Sequence, residues 1–380
     1  MDNNQQNIES RVRIAYIPAG SNGTKLVNNT PKAFLDVAGR MAILRCLDAI
    51  NRSSIDTVIT WHEDVQKLQD IITKNRKDFS NISNILVLQA QKDFGNNMVF
   101  STTNGLLKHT HLPKYTGKWN DFNAISKYRL NHPKVDDEPI LILPADAVLL
   151  SDDCLDKYIY QFNKFSNVDL IIGYTKKEII EGIGEVAGKD ISSIDSTINC
   201  YDYTTDYAGR HSNLFIIKPV KLMEKEIIDF MSYYNKNRYQ SKLKSRIAMY
   251  VQGCAVAFSY RFRKKYRFSS GYKVETPLSS AIGLKAKYFL NIIETIVFYN
   301  NFNKAKSRKL PAGIVKKARQ KVTIEKAEQV LKDIFDLKAR VYIGGGIEVM
   351  DIDDEICYNI INDNYSKIIK YGNSLSKNKK

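Results

Sequence analysis

Residues 12–40 read VRIAYIPAGSNGTKLVNNTPKAFLDVAGR. Val12–Ile17 is an apolar, β-prone run that predicts a buried strand, and a Gly/Ser/Asn loop follows it at once. Outward from there the rhythm repeats. Phe34–Val37 is a short apolar run, and Ala42–Ile50 carries Ile43, Leu44, Leu47 and Ile50 at helical spacing. Thr57–Trp61 reads as strand, Val65–Asn75 as helix, Asn84–Gln89 as strand, Asn97–Lys108 as helix and Pro139–Leu143 as a strongly apolar strand. Val168–Gly173 and Leu214–Pro219 predict further strands. Apolar strands alternating with helices imply an α/β fold whose mostly parallel sheet is covered on both faces.

With 380 residues, 43% of them hydrophobic, the chain can build a full core and a second, smaller unit. No apolar run reaches the length of a membrane span. The opening MDNNQQNIES has no basic segment followed by an apolar one, so no secretory leader is expected. Cys46, Cys154, Cys200, Cys254 and Cys357 are scattered, as suits reduced thiols in a cytoplasmic protein rather than disulfides or a zinc site.

The net charge of +16 calls for an anionic partner. Much of it lies in one region. Residues 236 to 273 hold eleven Lys or Arg and no acid, interleaved with tyrosines, and Asn300–Thr323 is again free of acids. In VAFSYRFRKKYRF (256–268), aromatic and basic residues alternate with period two, predicting a strand with one aromatic and one basic face. Such a face is either simply solvated or docks anionic headgroups, which would make the protein peripheral on a membrane; nucleic acid ranks behind both because no RNA-binding signature accompanies it. The predicted boundaries are 10–223 for the main domain, with 108–138 as an inserted loop or lid, 224–339 for the basic insertion, 340–365 for the return to the main domain, and 366–380 for a polar basic tail. Within the return, the turn signal Gly344-Gly345-Gly346 leads into IEVMDID (347–353), which reads as a resumed strand.

The small residues after the first strand let backbone N–H groups crowd around a phosphate, and Lys25 and Lys32 add two mobile charges nearby. Neither the Walker pattern nor G-x-G-x-x-G is present. Taken alone, the stretch reads more readily as a tight turn with ordinary surface lysines. The longer pattern resembles the nucleotidyltransferase superfamily, which includes sugar-1-phosphate nucleotidyltransferases and molybdenum-cofactor guanylyltransferases. Gly23-Thr24-Lys25, Pro31-Lys32, Phe34-Leu35 and Gly39 fall in that family's order. Two residues depart from it: Lys25 stands where Arg is usual, which keeps the charge but loses the bidentate fork, and Ser21 stands where Gly is usual.

The resemblance implies a Rossmann-like three-layer α/β/α nucleotide-diphospho-sugar transferase fold with a large basic insertion. It implies transfer of NMP from an NTP to a phosphorylated acceptor, a sugar or polyol phosphate, with release of pyrophosphate and with Mg²⁺ as cofactor. Lys25 and Lys32 are then the catalytic cations, and Ala19, Gly20, Ser21, Gly23 and Thr24 line the phosphates. In VLQAQKDFGNNMVF (87–100), Gln89, Gly95 and Asn96 fall where the family reads the nucleobase. In ILILPADAVLL (140–150), Asp146 follows a buried strand where the family holds the metal, and Asp351, preferred over Asp353, supplies the second carboxylate. Asp353-Asp354-Glu355 also suits a helix start. Gly184, in a glycine-rich turn or hairpin, and Asn213, before LFIIKP, fall at acceptor-contacting positions. Two alternatives remain at this stage: a glycosyltransferase of the related nucleotide-diphospho-sugar fold, whose Asp-x-Asp slot after a central strand reads Ala145-Asp146-Ala147 here while Asp351-x-Asp353 lies at the other end of the domain, and a nucleotide-binding regulatory protein without turnover.

Overall fold

In a computed structural model, residues 12–20, 26–89, 138–165, 167–189, 202–203, 208–218, 294, 297–298, 300–301, 304–305, 310–335 and 337–377 are described. The elements in chain order are β1 (Ile14–Pro18), α1 (Ala42–Asn51), β2 (Thr57–His62), α2 (Val65–Lys74), β3 (Asn84–Gln89) and β4 (Ile140–Ile142). There follow α3 (Cys154–Lys164), β5 (Leu170–Lys176), α4 (Lys177–Ala187), β6 (Asp202–Tyr203), β7 (Ala208–Ile217), α5 (Ala312–Arg319), α6 (Ile324–Phe335), β8 (Ala339–Ile343) and α7 (Glu355–Lys377).

The sheet order is β8-β5-β7-β4-β1-β2-β3, with β6 paired to β7. Pairs β1–β2, β1–β4, β2–β3 and β5–β8 are parallel, whereas β7 runs antiparallel to both neighbours. This is a mostly parallel, Rossmann-like α/β sheet. Period-two alternation sends successive side chains to two separate cores. Ala15, Ile17, Val58, Leu141 and Leu143 join the core beneath α1, α2 and α3, while Ile14, Tyr16, Ile59, Trp61, Ile140 and Ile142 fill the opposite face. Helix α1 buries Ile43, Leu44, Leu47 and Ile50, the residues whose spacing predicts it. Each such side chain contributes about 1.5–3 kcal/mol. Asp64 caps α2 by accepting from Lys67 N at 3.0 Å, and Asp354 accepts from Cys357 N at 2.8 Å at the start of α7, the role its helix-start pattern predicts.

Two sequence expectations are corrected. IEVMDID is not a strand. The strand is β8, which precedes the glycines, and Ile347–Val349 is a 3₁₀ turn. The chain turns here because Glu348, 1% exposed, accepts from Gly346 N at 2.8 Å and from Tyr158 Oη at 3.0 Å. A Cβ on Gly345 would stand 2.5 Å from Thr175 Oγ1, so the crossing demands glycine. The second correction concerns Gly182 and Gly184, which lie buried inside helix α4 and not in a turn or hairpin. A Cβ on Gly182 would meet Tyr371 Oη at 2.2 Å, so that glycine serves the packing of α4 against α7.

The predicted helix 97–108, the inserted loop 108–137, most of the basic insertion and its 256–268 stretch lie outside the described residues. Where that insertion is described, α5 buries Val315 and Ala318 and exposes Lys316 and Lys317, a solvated basic face. No described helix is long and apolar enough to cross a membrane.

Candidate functional site

Open α/β sheets bind ligands beyond the carboxyl ends of their strands where the strand order reverses. Here that point lies between β1, which leads into Ala19 and Gly20, and β4, which leads into Asp146. Ala19 is buried. Gly20 is packed so closely that a Cβ would stand 2.1 Å from a ring carbon of Trp61. Packing against Trp61 therefore demands glycine at 20, whether or not a phosphate approaches. Gly20→Ala should destabilise the protein by about 1–3 kcal/mol through overpacking, read as a lower Tm, and Trp61→Leu in the same chain should recover part of the loss. An unchanged Tm for Gly20→Ala would contradict this contact.

A short hairpin sets Lys32. Leu26–Val27 pairs with Thr30–Pro31, and Asn28 (φ 50°) and Asn29 (φ 58°) form its turn in the left-handed region that Asn tolerates. The chain then enters a 3₁₀ turn at Lys32 with Phe34 buried. These constraints fix where the lysine stem emerges. Its Nζ donates to Asp146 Oδ2 at 2.7 Å and to Asp353 Oδ1 at 3.2 Å. Residues 32, 146 and 353 belong to three distant parts of the chain. The lysine side chain is only 15% exposed, so it is not the surface lysine that the sequence by itself allows.

Asp351 completes the cluster. Asn213 Nδ2 donates to its Oδ2 at 2.8 Å, and Cys357 Sγ contacts its backbone carbonyl at 3.1 Å. Its Oδ1 is buried and has no hydrogen-bond partner among the described residues. Burial pushes the Asp351 carboxyl up to about 7, the nearby Asp146 and Asp353 charges add to the rise, and Arg210 and Lys32 oppose it. Burial also disfavours charge on Lys32, but Asp146 and Asp353 more than offset this and hold its pKa above the ordinary lysine value. The ammonium thus bridges the Asp146 and Asp353 carboxylates with Asp351 close behind, and Arg210 is a second cation acting on Asp351.

Among the described residues no three His, Cys, Asp or Glu side chains converge as a closed metal cage. The donors present still fit Mg²⁺. It takes oxygen ligands, needs only one or two carboxylates alongside substrate phosphates, and would satisfy the orphaned Asp351 Oδ1.

Of the remaining expected site residues, Gln89 ends β3, where its amide donates to Glu63 O at 3.0 Å. Lys25, Ser21, Gly23, Thr24, Gly95 and Asn96 lie outside the described residues. Asn213 meets Asp351, and Gly184 lies in α4 as described above. Asp353, the less favoured of the two late aspartates on sequence, is the one that holds Lys32; the Asp-x-Asp spacing is the signal for it. His62, which ends β2, is buried, and its Nε2 lies 3.7 Å from Glu63 Oε2. Its ring lies 4.5 Å from that of Phe34, its Nδ1 accepts from Asp64 N at 2.8 Å, and its buried Nε2 has no hydrogen-bond partner among the described residues. Nothing in the local pattern singles it out.

No protein-family model matches the sequence, and no curated protein matches it. Solved structures do. A hypothetical transferase from Thermus thermophilus is 12% identical over 91% of this chain and 98% of its own, with a TM-score of 0.44. The inositol-1-phosphate CTP transferase from T. maritima is 11% identical over 57% of this chain and 74% of its own, with a TM-score of 0.32. HddC from Yersinia pseudotuberculosis is 10% identical over 56% of this chain and 79% of its own, with a TM-score of 0.34. Similarities of this size assign neither an activity nor a site to this chain.

Proposed function

We propose that this chain is a nucleotidyltransferase that moves NMP from an NTP to a phosphorylated acceptor, a sugar or polyol phosphate, and releases pyrophosphate. The observation that carries the reading is the Lys32–Asp146–Asp353 cluster beside the buried Asp351, at the strand ends following the sequence pattern of 17–40. In the reaction an acceptor phosphate oxygen forms a bond to the α-phosphorus while the bond to the β-phosphate oxygen breaks. The nucleophile is already anionic, so no general base is required, and the work lies in positioning and charge neutralisation. Lys32 supplies a cation to the α-phosphate or the acceptor phosphate, and Lys25 one to the departing phosphates. By the sequence resemblance, Ala19, Gly20, Ser21, Gly23 and Thr24 are assigned to the triphosphate, and Gln89, Gly95 and Asn96 to the base. Asp146 and Asp351 would hold Mg²⁺, which when bound supplies charge neutralisation at the phosphate oxygens.

The test is a pyrophosphate-release screen of the four NTPs against phosphorylated sugars, polyols and lipids. Release that depends on both one NTP and one acceptor supports the reading. Asp351-x-Asp353 beside Asp146 keeps a glycosyltransferase in view, and sugar transfer from a nucleotide sugar without NTP-dependent pyrophosphate would establish that instead. Nucleotide binding with no turnover on any acceptor would favour a regulatory role.

A further inference from the structure

Strand β7 is irregular where it passes the site. Its pairing with β5 runs in register at Gly209↔Lys176, Arg210↔Thr175 and His211↔Tyr174, then shifts before resuming at Phe215↔Ile172. A bulge of this kind bends a strand and re-aims a side chain away from the direction strict alternation dictates. The backbone within the bulge is satisfied locally, since Leu214 N donates to the buried Ser212 Oγ at 2.9 Å. Asn213 lies in the middle of the shifted segment, and its Nδ2 reaches across to Asp351 Oδ2 at 2.8 Å. One oxygen of Asp351 is therefore fixed by an amide donor, while the other, Oδ1, is buried without a partner among the described residues. Leaving a buried carboxylate oxygen unmatched is costly, and the bulge commits its amide to the first oxygen only.

We infer that Asn213 is a positioning residue. It fixes the rotation of the Asp351 carboxylate so that Oδ1 is presented to the divalent cation. The inference deepens the proposed function and rests on its reading of Asp351 as a metal-holding residue. This role stands beside the acceptor contact that the sequence resemblance implies, since one N–H of the amide is directed to Asp351 and its second N–H and Oδ1 are separate groups. Outer partners that orient a ligating carboxylate typically change metal affinity about 10- to 100-fold when removed.

The experiment titrates MgCl₂, with no nucleotide present, against the wild-type chain and Asn213→Leu, which keeps the γ-branched outline and removes the donor. Half-saturation is read from the Mg²⁺-dependent rise in Tm, and Mn²⁺ binding is counted by electron paramagnetic resonance. The expected result is a half-saturating Mg²⁺ concentration about 10- to 100-fold higher in Asn213→Leu. A folded Asn213→Leu whose metal midpoint matches wild type would overturn the inference, whatever happened to its metal-free Tm, since a purely structural contact moves only the latter. If Asn213→Leu fails to fold, Asn213→Ala asks less of the core and should shift the midpoint in the same direction. A wild-type chain with no Mg²⁺ response also overturns the inference. A chain that binds Mg²⁺ through Asp351 but releases no pyrophosphate removes the proposed reaction and leaves the role of Asn213 standing.

Discussion

Asp146→Asn should abolish metal-dependent turnover, lowering kcat/KM by at least about 10³-fold, or about 4 kcal/mol of transition-state stabilisation. The substitution keeps the side chain's shape and removes its charge. Its backbone role survives, because Ile352 N donates to the Asp146 carbonyl at 3.3 Å and that carbonyl is unaffected. Lys32 keeps Asp353 as a partner at 3.2 Å, so the ammonium is not stranded. The metal-free Tm should therefore stay close to wild type while pyrophosphate release disappears. Comparing kcat/KM with the thermal melt checks both halves. Retained activity in Asp146→Asn, or undiminished wild-type activity in EDTA, would remove Asp146 from the reaction.

Lys32→Ala carries the second large effect, and here the structure changes the expectation. On the surface of a loop, a lysine could be lost with little effect on folding. Lys32 instead bridges two carboxylates whose side chains are 17% and 25% exposed, with a third, Asp351, close behind. Removing this ammonium takes away the cation that bridges Asp146 and Asp353 and leaves Arg210 acting on Asp351. Breaking a buried pair by deleting one partner costs several kcal/mol, and the partial exposure here puts the expected loss near the lower end, about 3 kcal/mol. The metal-free variant should melt lower than wild type at neutral pH, and added Mg²⁺ should restore most of the difference by replacing the missing charge. Turnover should nonetheless fall by about 10²-fold or more, because a bound metal cannot also serve as the mobile ammonium on the phosphates. A Lys32→Ala protein with full turnover would refute the assignment; one whose low Tm ignores Mg²⁺ would refute the shared-charge account.

The pH dependence follows from the same cluster. Asp351 binds its proton more tightly in the folded chain, where its pKa is about 7, than in the unfolded chain, where an Asp titrates near 4. Between those values the folded state holds more protons, so this group's contribution to metal-free stability is present at low pH and declines as pH rises from about 4 to about 7. Thermal melts in EDTA across that range should show the decline, and Asp351→Asn should flatten it. A wild-type profile no steeper than that of Asp351→Asn would contradict the burial of this carboxyl beside Asp146 and Asp353.

Much of the architecture is local in origin. Periods of two and 3.6 are properties of neighbouring residues, so the strands at Ile14–Pro18, Thr57–His62 and Asn84–Gln89 and the helix at Ala42–Asn51 are legible in the sequence. The ends of strands are legible too, which puts Ala19, Gly20, Gln89 and Asp146 at the sheet's carboxyl edge. Which side chains meet across that edge is a different kind of information. Lys32 and Asp353 are separated by 321 residues of chain, and Asn213 and Asp351 by 138, and no local period encodes those encounters. They depend on the strand order, on a hairpin whose two Asn residues adopt positive φ, and on a bulge in β7. The glycines make the same point from the other side. A Gly-Ile-Gly run reads as a turn by composition, yet Gly182 sits in a helix, and the position is glycine because Tyr371, far along the chain, fills the space a Cβ would take. Local pattern is therefore enough for the fold class and for the residue types available to chemistry. It is not enough to bury Lys32 among three acids, to share it with Asp353, or to hold Asp351 with Asn213. Burial and pairing of that kind arise only in the folded chain, from contacts between segments that the sequence keeps far apart.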